Sequence, residues 1–205
     1  LEKQADIHLL TGEYDQVLTI CQEALKSCQN VFTRARLHLK LGRVFEKRSE
    51  FQKALEYYRE GEAILGDNQI CSEMAQLRNA SGWALCWLRE YDNAIESCRQ
   101  ALKILEQVSD MQEIAYANNV LGVVYYYLHL WEQALEYYQK SLSIQEKISD
   151  QWGTANSLNN IGNIYAMTYH WEKALEYYQK SLELREALGN QAGVATSCNN
   201  LGHIY

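Results

Sequence analysis

Apolar residues recur three and four positions apart through most of the chain, in segments several turns long that are separated by short polar breaks. That spacing gathers them on one face of an α-helix. The segments come in pairs, which predicts amphipathic helices joined two by two. The breaks between pairs fall at Gly66-Asp67, Ser109-Asp110, Ser149-Asp150 and Gly189-Asn190. Glycine closes helices, and Ser, Asp or Asn opens the next one. Asp110 and Glu113 have the spacing of a capping box.

The pairs repeat at a displacement of 40 residues, and WEQALEYYQKSLSIQEKISD at 131–150 returns as WEKALEYYQKSLELREALGN at 171–190. Gly42, Gly82, Gly122, Gly162 and Gly202 keep this register. Three residues after each glycine stands Phe45, Leu85, Tyr125, Tyr165 or Tyr205. Nine after it come Phe51, Tyr91, Trp131 and Trp171, and twelve after it Ala54, Ala94, Ala134 and Ala174. A looser earlier unit carries Ala5, Tyr14 and Val17 at these places. Small residues where two helices cross let the backbones approach closely, and the aromatics are expected to fill the wedges between pairs. Cys21 and Cys98 occupy the register of Tyr58, Tyr138 and Tyr178, which marks them as core fillers.

On these residues the chain resembles the tetratricopeptide repeat, whose usual unit is about 34 residues. The resemblance implies an all-α, right-handed superhelical solenoid of antiparallel helix hairpins, with the first helix of each hairpin lining an inner face. It covers essentially the whole chain as a single solenoid, 1–205. The expected divisions are a partial unit at 1–29, repeats at about 30–69, 70–109, 110–149 and 150–189, and a partial unit at 190–205. The longer unit adds under a turn to each helix. Ser-Asp or Gly-Asn stands where the family usually has a closing proline. This long-helix form is similar to kinesin light chain, to Rap-type peptide receptors and to the MalT-like arrays of bacterial signalling proteins. The likeness implies a cytoplasmic regulatory or scaffold segment. The pattern starts and stops inside a unit with no polar capping helix, so the expectation is a piece of a longer protein, with end-to-end self-association through its termini.

By the same resemblance, side chains six and three before the glycine, and one, four and five after it, face inward. Asn79, Asn119, Asn159 and Asn199 lie three before it, and Asn156 and Asn163 share their stretch. Asparagine is a mediocre helix former, and its amide offers both a donor and an acceptor to an extended peptide backbone. Asparagines grip peptide backbones in such arrays, which gives these residues a candidate peptide-binding role. The alternative is that they only tie neighbouring helices together. Trp83, Trp87, Tyr116, Tyr126 and Tyr127 would make the middle of the groove aromatic, either to bind ligand or to pack one repeat on the next. Arg36, Lys40, Arg43 and Lys47 fall on one helix face. They would anchor an acidic segment or a C-terminal carboxylate, or form a solvated face partly neutralised by Glu46 and Glu50.

Composition narrows the partner. Apolar residues make up 47% of the chain and charged residues 22%, enough for a real core. A net charge of −7 repels phosphate backbones and anionic lipid. The expected partner is therefore a protein or extended peptide segment, with no nucleic acid and no membrane. Proline is absent, which leaves the helices unkinked. The six cysteines form no CxxC pair, and read as small buried hydrophobes in a reducing compartment. No phosphate loop, HExxH, GxSxG or dinucleotide fingerprint is present. His129 and His170 precede Trp131 and Trp171 near hairpin turns, a packing position. The sequence thus points to a binding module rather than an enzyme, with no cofactor and no metal. The alternative is a spacer or self-association arm with no free ligand.

Overall fold

The computed structural model describes residues 2–66 and 70–204, so Asp67 of the first expected break and Tyr205 of the aromatic register lie outside the described residues. Among the described residues every regular element is an α-helix, eleven in all. In order they are α1 (Glu2–Thr11), α2 (Tyr14–Ser27), α3 (Val31–Lys47), α4 (Phe51–Leu65), α5 (Ser72–Trp87), α6 (Tyr91–Val108), α7 (Met111–Tyr127), α8 (Trp131–Lys147), α9 (Gln151–Met167), α10 (Trp171–Ala187) and α11 (Gln191–Gly202). The chain divides into two compact units, Leu1–Glu113 and Ile114–Tyr205. Within each unit helices pack in adjacent pairs along the chain. None of the described helices is long and apolar enough to cross a membrane, and no group of three or more His, Cys, Asp or Glu there could hold a metal ion.

Two kinds of helix start alternate. The first helices α3, α5, α7, α9 and α11 open on a side-chain cap. Asn30 Oδ1 accepts from Thr33 N at 2.9 Å, Asp150 Oδ1 from Gly153 N at 2.9 Å and Asn190 Oδ1 from Gly193 N at 2.9 Å. Asp110 Oδ1 accepts from Glu113 N at 3.2 Å, half of the expected capping box. The other half differs from expectation: the Glu113 carboxylate turns to α5 and accepts from Asn79 Nδ2 at 2.9 Å. The second helices start after Glu50, Glu90, Leu130 and His170 without a side-chain cap. There the turn itself does the work. Ser49, Arg89, His129 and Tyr169 take a left-handed conformation. This brings Glu50 N to Phe45 O at 2.8 Å and His170 N to Tyr165 O at 2.8 Å, capturing carbonyls that the closing helix leaves open.

The first unit's core gathers Ala5, Val17, Cys21, Leu37, Leu41 and Val44. In the second unit Ala115, Leu121, Ile161, Ile164 and Ala174 are buried. Gly42, Gly82, Gly122 and Gly162 sit under the second helix of their hairpins. A β-carbon on Gly42 would meet the Tyr58 ring at 2.1 Å and one on Gly162 the Tyr178 ring at 2.6 Å, while one on Gly82 would meet Cys98 Sγ at 2.5 Å. Cys98 therefore fills the place of the tyrosines, as its register predicts. The aromatics three after the glycine stack within their own hairpins, Phe45 on Tyr57 at 5.3 Å and Tyr165 on Tyr177 at 5.4 Å. Phe51 stacks on Trp87 at 5.4 Å, bridging one hairpin to the next as expected of a wedge residue.

Candidate peptide-binding face

The asparagines divide by what they already hold. Asn79 is wholly buried, and its Nδ2 donates to Glu113 O and Oε2 at 3.1 and 2.9 Å. Its Oδ1 is buried with no hydrogen-bond partner among the described residues. Asn119 is half-buried and accepts from Asn160 Nδ2 at 3.2 Å. Asn159 is buried and accepts from Asn200 Nδ2 at 3.0 Å. The two bonds are one repeat apart and form the same rung twice. These bonds join successive first helices of the second unit. Asn199 and Asn156 are exposed. Asn163 is half-buried and accepts from Tyr178 OH at 2.7 Å.

The aromatics also divide. Trp87 is 44% exposed while stacked on Phe51 and edge-on to Trp83 at 5.6 Å. Tyr116 is half-buried on α7. Tyr126 lies edge-on to Tyr127 and to Trp131 at 5.8 and 5.4 Å.

In the second unit α7, α9, α10 and α11 enclose a pocket of about 510 Å³ lined by Tyr126, Asn163, Met167, Tyr169, Trp171 and Asn200 among others. That volume lies in the range of small-ligand and side-chain clefts. Tyr126 and Asn163 are sequence candidates, and the fold brings them together. Met167, Tyr169 and Trp171 are additions. Tyr169 is 78% exposed and Met167 50%. Tyr169 stands at the turn position that Ser49 and Arg89 hold in other hairpins, which is its signal in the sequence. Tyr178 OH lies at the pocket's edge, and burial followed by the nearby Tyr126 pushes its pKa up to about 12. It therefore stays a neutral donor to Asn163.

The basic stripe does not form one free patch. Arg36 Nη1 pairs with Glu73 Oε1 at 2.9 Å, and Lys40 pairs with Asp6. Arg43 and Lys47 are exposed. Glu46, expected to neutralise the stripe from solvent, instead accepts from Tyr58 OH at 2.9 Å. Burial raises its pKa, with Arg43 and Lys47 opposing the rise. Burial also raises Glu113, against the hydrogen bond from Asn79 and the charge of Arg43.

One cation was missed by the sequence reading. Arg185 on α10 is only 5% exposed. Its Nη1 donates to Gly193 O at 2.9 Å and Ser197 Oγ at 2.8 Å, and its Nη2 to Asn156 Oδ1 at 3.2 Å. Its register partners are Leu65, Leu105 and Gln145, so nothing in the pattern announced a buried charge.

Comparison with known proteins adds the following. The family model described as Tetratricopeptide repeat matches residues 73–147, 112–187 and 153–205. No curated protein matches the chain. Among solved structures, a Rap protein complexed with competence and sporulation factor superposes with TM-score 0.87 at 15% identity, over 98% of this chain and 60% of that one. The BtubC protein of P. vanneervenii gives 0.76 at 19% identity, over 98% and 83%. A signal transduction ATPase with numerous domains and a tetratricopeptide repeat sensor, from Pyrococcus horikoshii, gives 0.82 at 17%, over 99% of this chain and 32% of that one. At these identities the likeness is one of fold.

Proposed function

Because the chain belongs to the tetratricopeptide repeat family, we propose that it is a protein- or peptide-binding module whose ligand lies along the first helices of its hairpins. The observation that carries this reading is the pocket that Tyr126, Asn163, Met167, Tyr169 and Trp171 make in the second unit. Aromatic rings supply area at low entropic cost, and amides at the rim can pair with a peptide backbone. One bulky apolar side chain of an extended segment fills such a pocket, while the backbone runs past Asn119 and Asn199. A Rap protein, similar in fold, is known in complex with the competence and sporulation factor, which supports a bound partner for this fold. The module carries no chemistry of its own in this reading. It acts as a regulatory or scaffold segment of a larger cytoplasmic signalling protein, with repeats at about 30–69, 70–109, 110–149 and 150–189.

A second reading, a spacer or self-association arm without a free ligand, is favoured by the rungs Asn119–Asn160 and Asn159–Asn200. In it the asparagines are fully used in joining repeats.

Selection of displayed random nonapeptides on the chain separates the two. Wild type is expected to enrich peptides with an aromatic or large aliphatic anchor. Those peptides should bind the Met167→Glu/Tyr169→Ala variant at least about tenfold more weakly. Equal binding to the variant overturns the pocket reading. Enrichment of nothing, together with concentration-dependent association in sedimentation, establishes the arm.

A further inference from the structure

Arg185 is a buried guanidinium without a counter-charge among the described residues. Among the described residues its hydrogen-bond partners are all neutral: Asn156, Asn159, Gly193 and Ser197. No carboxylate pairs with it there. Removing a charge from water costs several kcal/mol unless an opposite charge offsets it. The hairpins do not need that cost for packing, because the same position holds Gln145 one repeat earlier and Leu105 two repeats earlier, and both are buried. Gln145 is satisfied by one bond, accepted from Ser157 Oγ at 2.7 Å.

The least-used donors share one edge of the group. Nη1 donates to Gly193 O and Ser197 Oγ and lies 3.4 Å from Asn159 Oδ1. Nη2 has one long bond, at 3.2 Å, to the amide oxygen of Asn156. Nε is buried and has no partner. Nε–H and one Nη2–H project side by side from the planar guanidinium, the fork that matches a carboxylate. Asn156 is exposed and closes this edge with a neutral acceptor. It lies on α9, one turn from Asn159 and two from Asn163, which lines the pocket.

We infer that Arg185 and Asn156 form a carboxylate subsite at the floor of the binding face, in which an acid of the ligand displaces the Asn156 amide oxygen and pairs with the Nε–Nη2 edge. The inference rests on the peptide-binding reading above and names one chemical feature of the ligand. The exchange replaces a long neutral hydrogen bond with a short charge-assisted pair, and neutralises a charge the fold leaves uncompensated. The lowered pKa that burial imposes on Arg185 has the same origin.

The test uses the random nonapeptide library in two formats, one with a free C-terminus and one followed by a fixed linker. It is selected on wild type, Arg185→Gln and Asn156→Asp. Arg185→Gln restores what the preceding hairpin has at this place and should stay folded by thermal melt. Asn156→Asp supplies an internal carboxylate, so it should raise the melting midpoint and occupy the subsite. Wild type is expected to enrich Asp or Glu at one position in both formats if a side chain is read. It should favour the free-C-terminus format alone if the terminal carboxylate is read. Either preference should vanish in both variants. Replacing the selected acid by its amide should weaken wild-type binding about tenfold and leave Arg185→Gln binding unchanged. Peptides that carry no carboxylate preference, or one that survives both variants, overturn the subsite and leave the groove standing. Selection of no peptide by wild type overturns the groove reading and the subsite with it.

Discussion

The Tyr138 ring lies over Gly122 where a side chain would stand: a β-carbon there would be 2.5 Å from the ring. The ring is 3% exposed and cannot swing out to solvent without opening the hairpin. Gly122→Ala should therefore destabilise the protein by about 1–3 kcal/mol through overpacking, although alanine is the better helix former. Gly202, with nothing within 4 Å of its notional β-carbon, is the control. Its alanine variant should be neutral or slightly stabilising in urea denaturation. Equal losses at both glycines would refute the ring-over-glycine account.

The cysteines should react as their burial dictates. Cys21 and Cys98 are fully buried, burial pushes the Cys86 thiol up to about 12 and Cys98 higher, and Cys198 is exposed. Since the thiolate is the reactive form, a thiol-specific chromogen at pH 8 should label Cys198 promptly. Cys21, Cys86 and Cys98 should follow only on unfolding. Prompt labelling of all six would contradict the core-filler role.

The asparagine rung Asn119–Asn160 should carry a measurable coupling. Each alanine variant is expected to cost about 1 kcal/mol, and the double variant less than the sum by about 0.5–1 kcal/mol. Strict additivity in the double-mutant cycle would show that the 3.2 Å contact contributes nothing.

Glu113 gives a pH prediction. Burial raises its folded pKa above the ordinary glutamate value of 4.5, so the fold disfavours the ionised form. The penalty is absent below 4.5, grows as pH rises through the folded pKa, and is complete above it. Glu113→Gln removes the charge and keeps an oxygen for Asn79. Its melting point should exceed that of wild type at pH 7 and converge with it near pH 4. A variant that is less stable at pH 7 would show that the Asn79 bond to the charged carboxylate outweighs desolvation.

Arg89 closes α5 in a left-handed conformation, with φ of 63°. That conformation costs a residue with a β-carbon roughly 1–2 kcal/mol, partly offset by glycine's greater freedom when unfolded. Arg89→Gly should stabilise the protein by about 0.5–1 kcal/mol; glycine already holds the matching turn of the first hairpin, at Gly12. A loss in thermal melts would mean that Arg89 makes contacts worth more than its backbone strain.

The helix pattern, the hairpin breaks and the repeat were legible in the sequence because each depends on residues close along the chain. Spacing of three and four sets a helical face, and Asp150 or Asn190 caps the very helix it precedes. Even the replacement of tyrosine by Cys98 followed from register, since identical hairpins superpose every 40 residues. Which polar groups face a partner and which face one another did not follow. Asn119 and Asn199 share a register position, yet one is tied to Asn160 and the other is exposed. Arg36 and Lys40 read as a stripe but find Glu73 and Asp6, 37 and 34 residues away. Arg185 stands where leucine and glutamine stand elsewhere, and only the packing of α9, α10 and α11 around it turned a surface-type residue into a buried charge. Periodicity fixes the direction of a side chain from its own helix. Its solvation is fixed by the neighbouring helices, and those distances exist only in the folded chain.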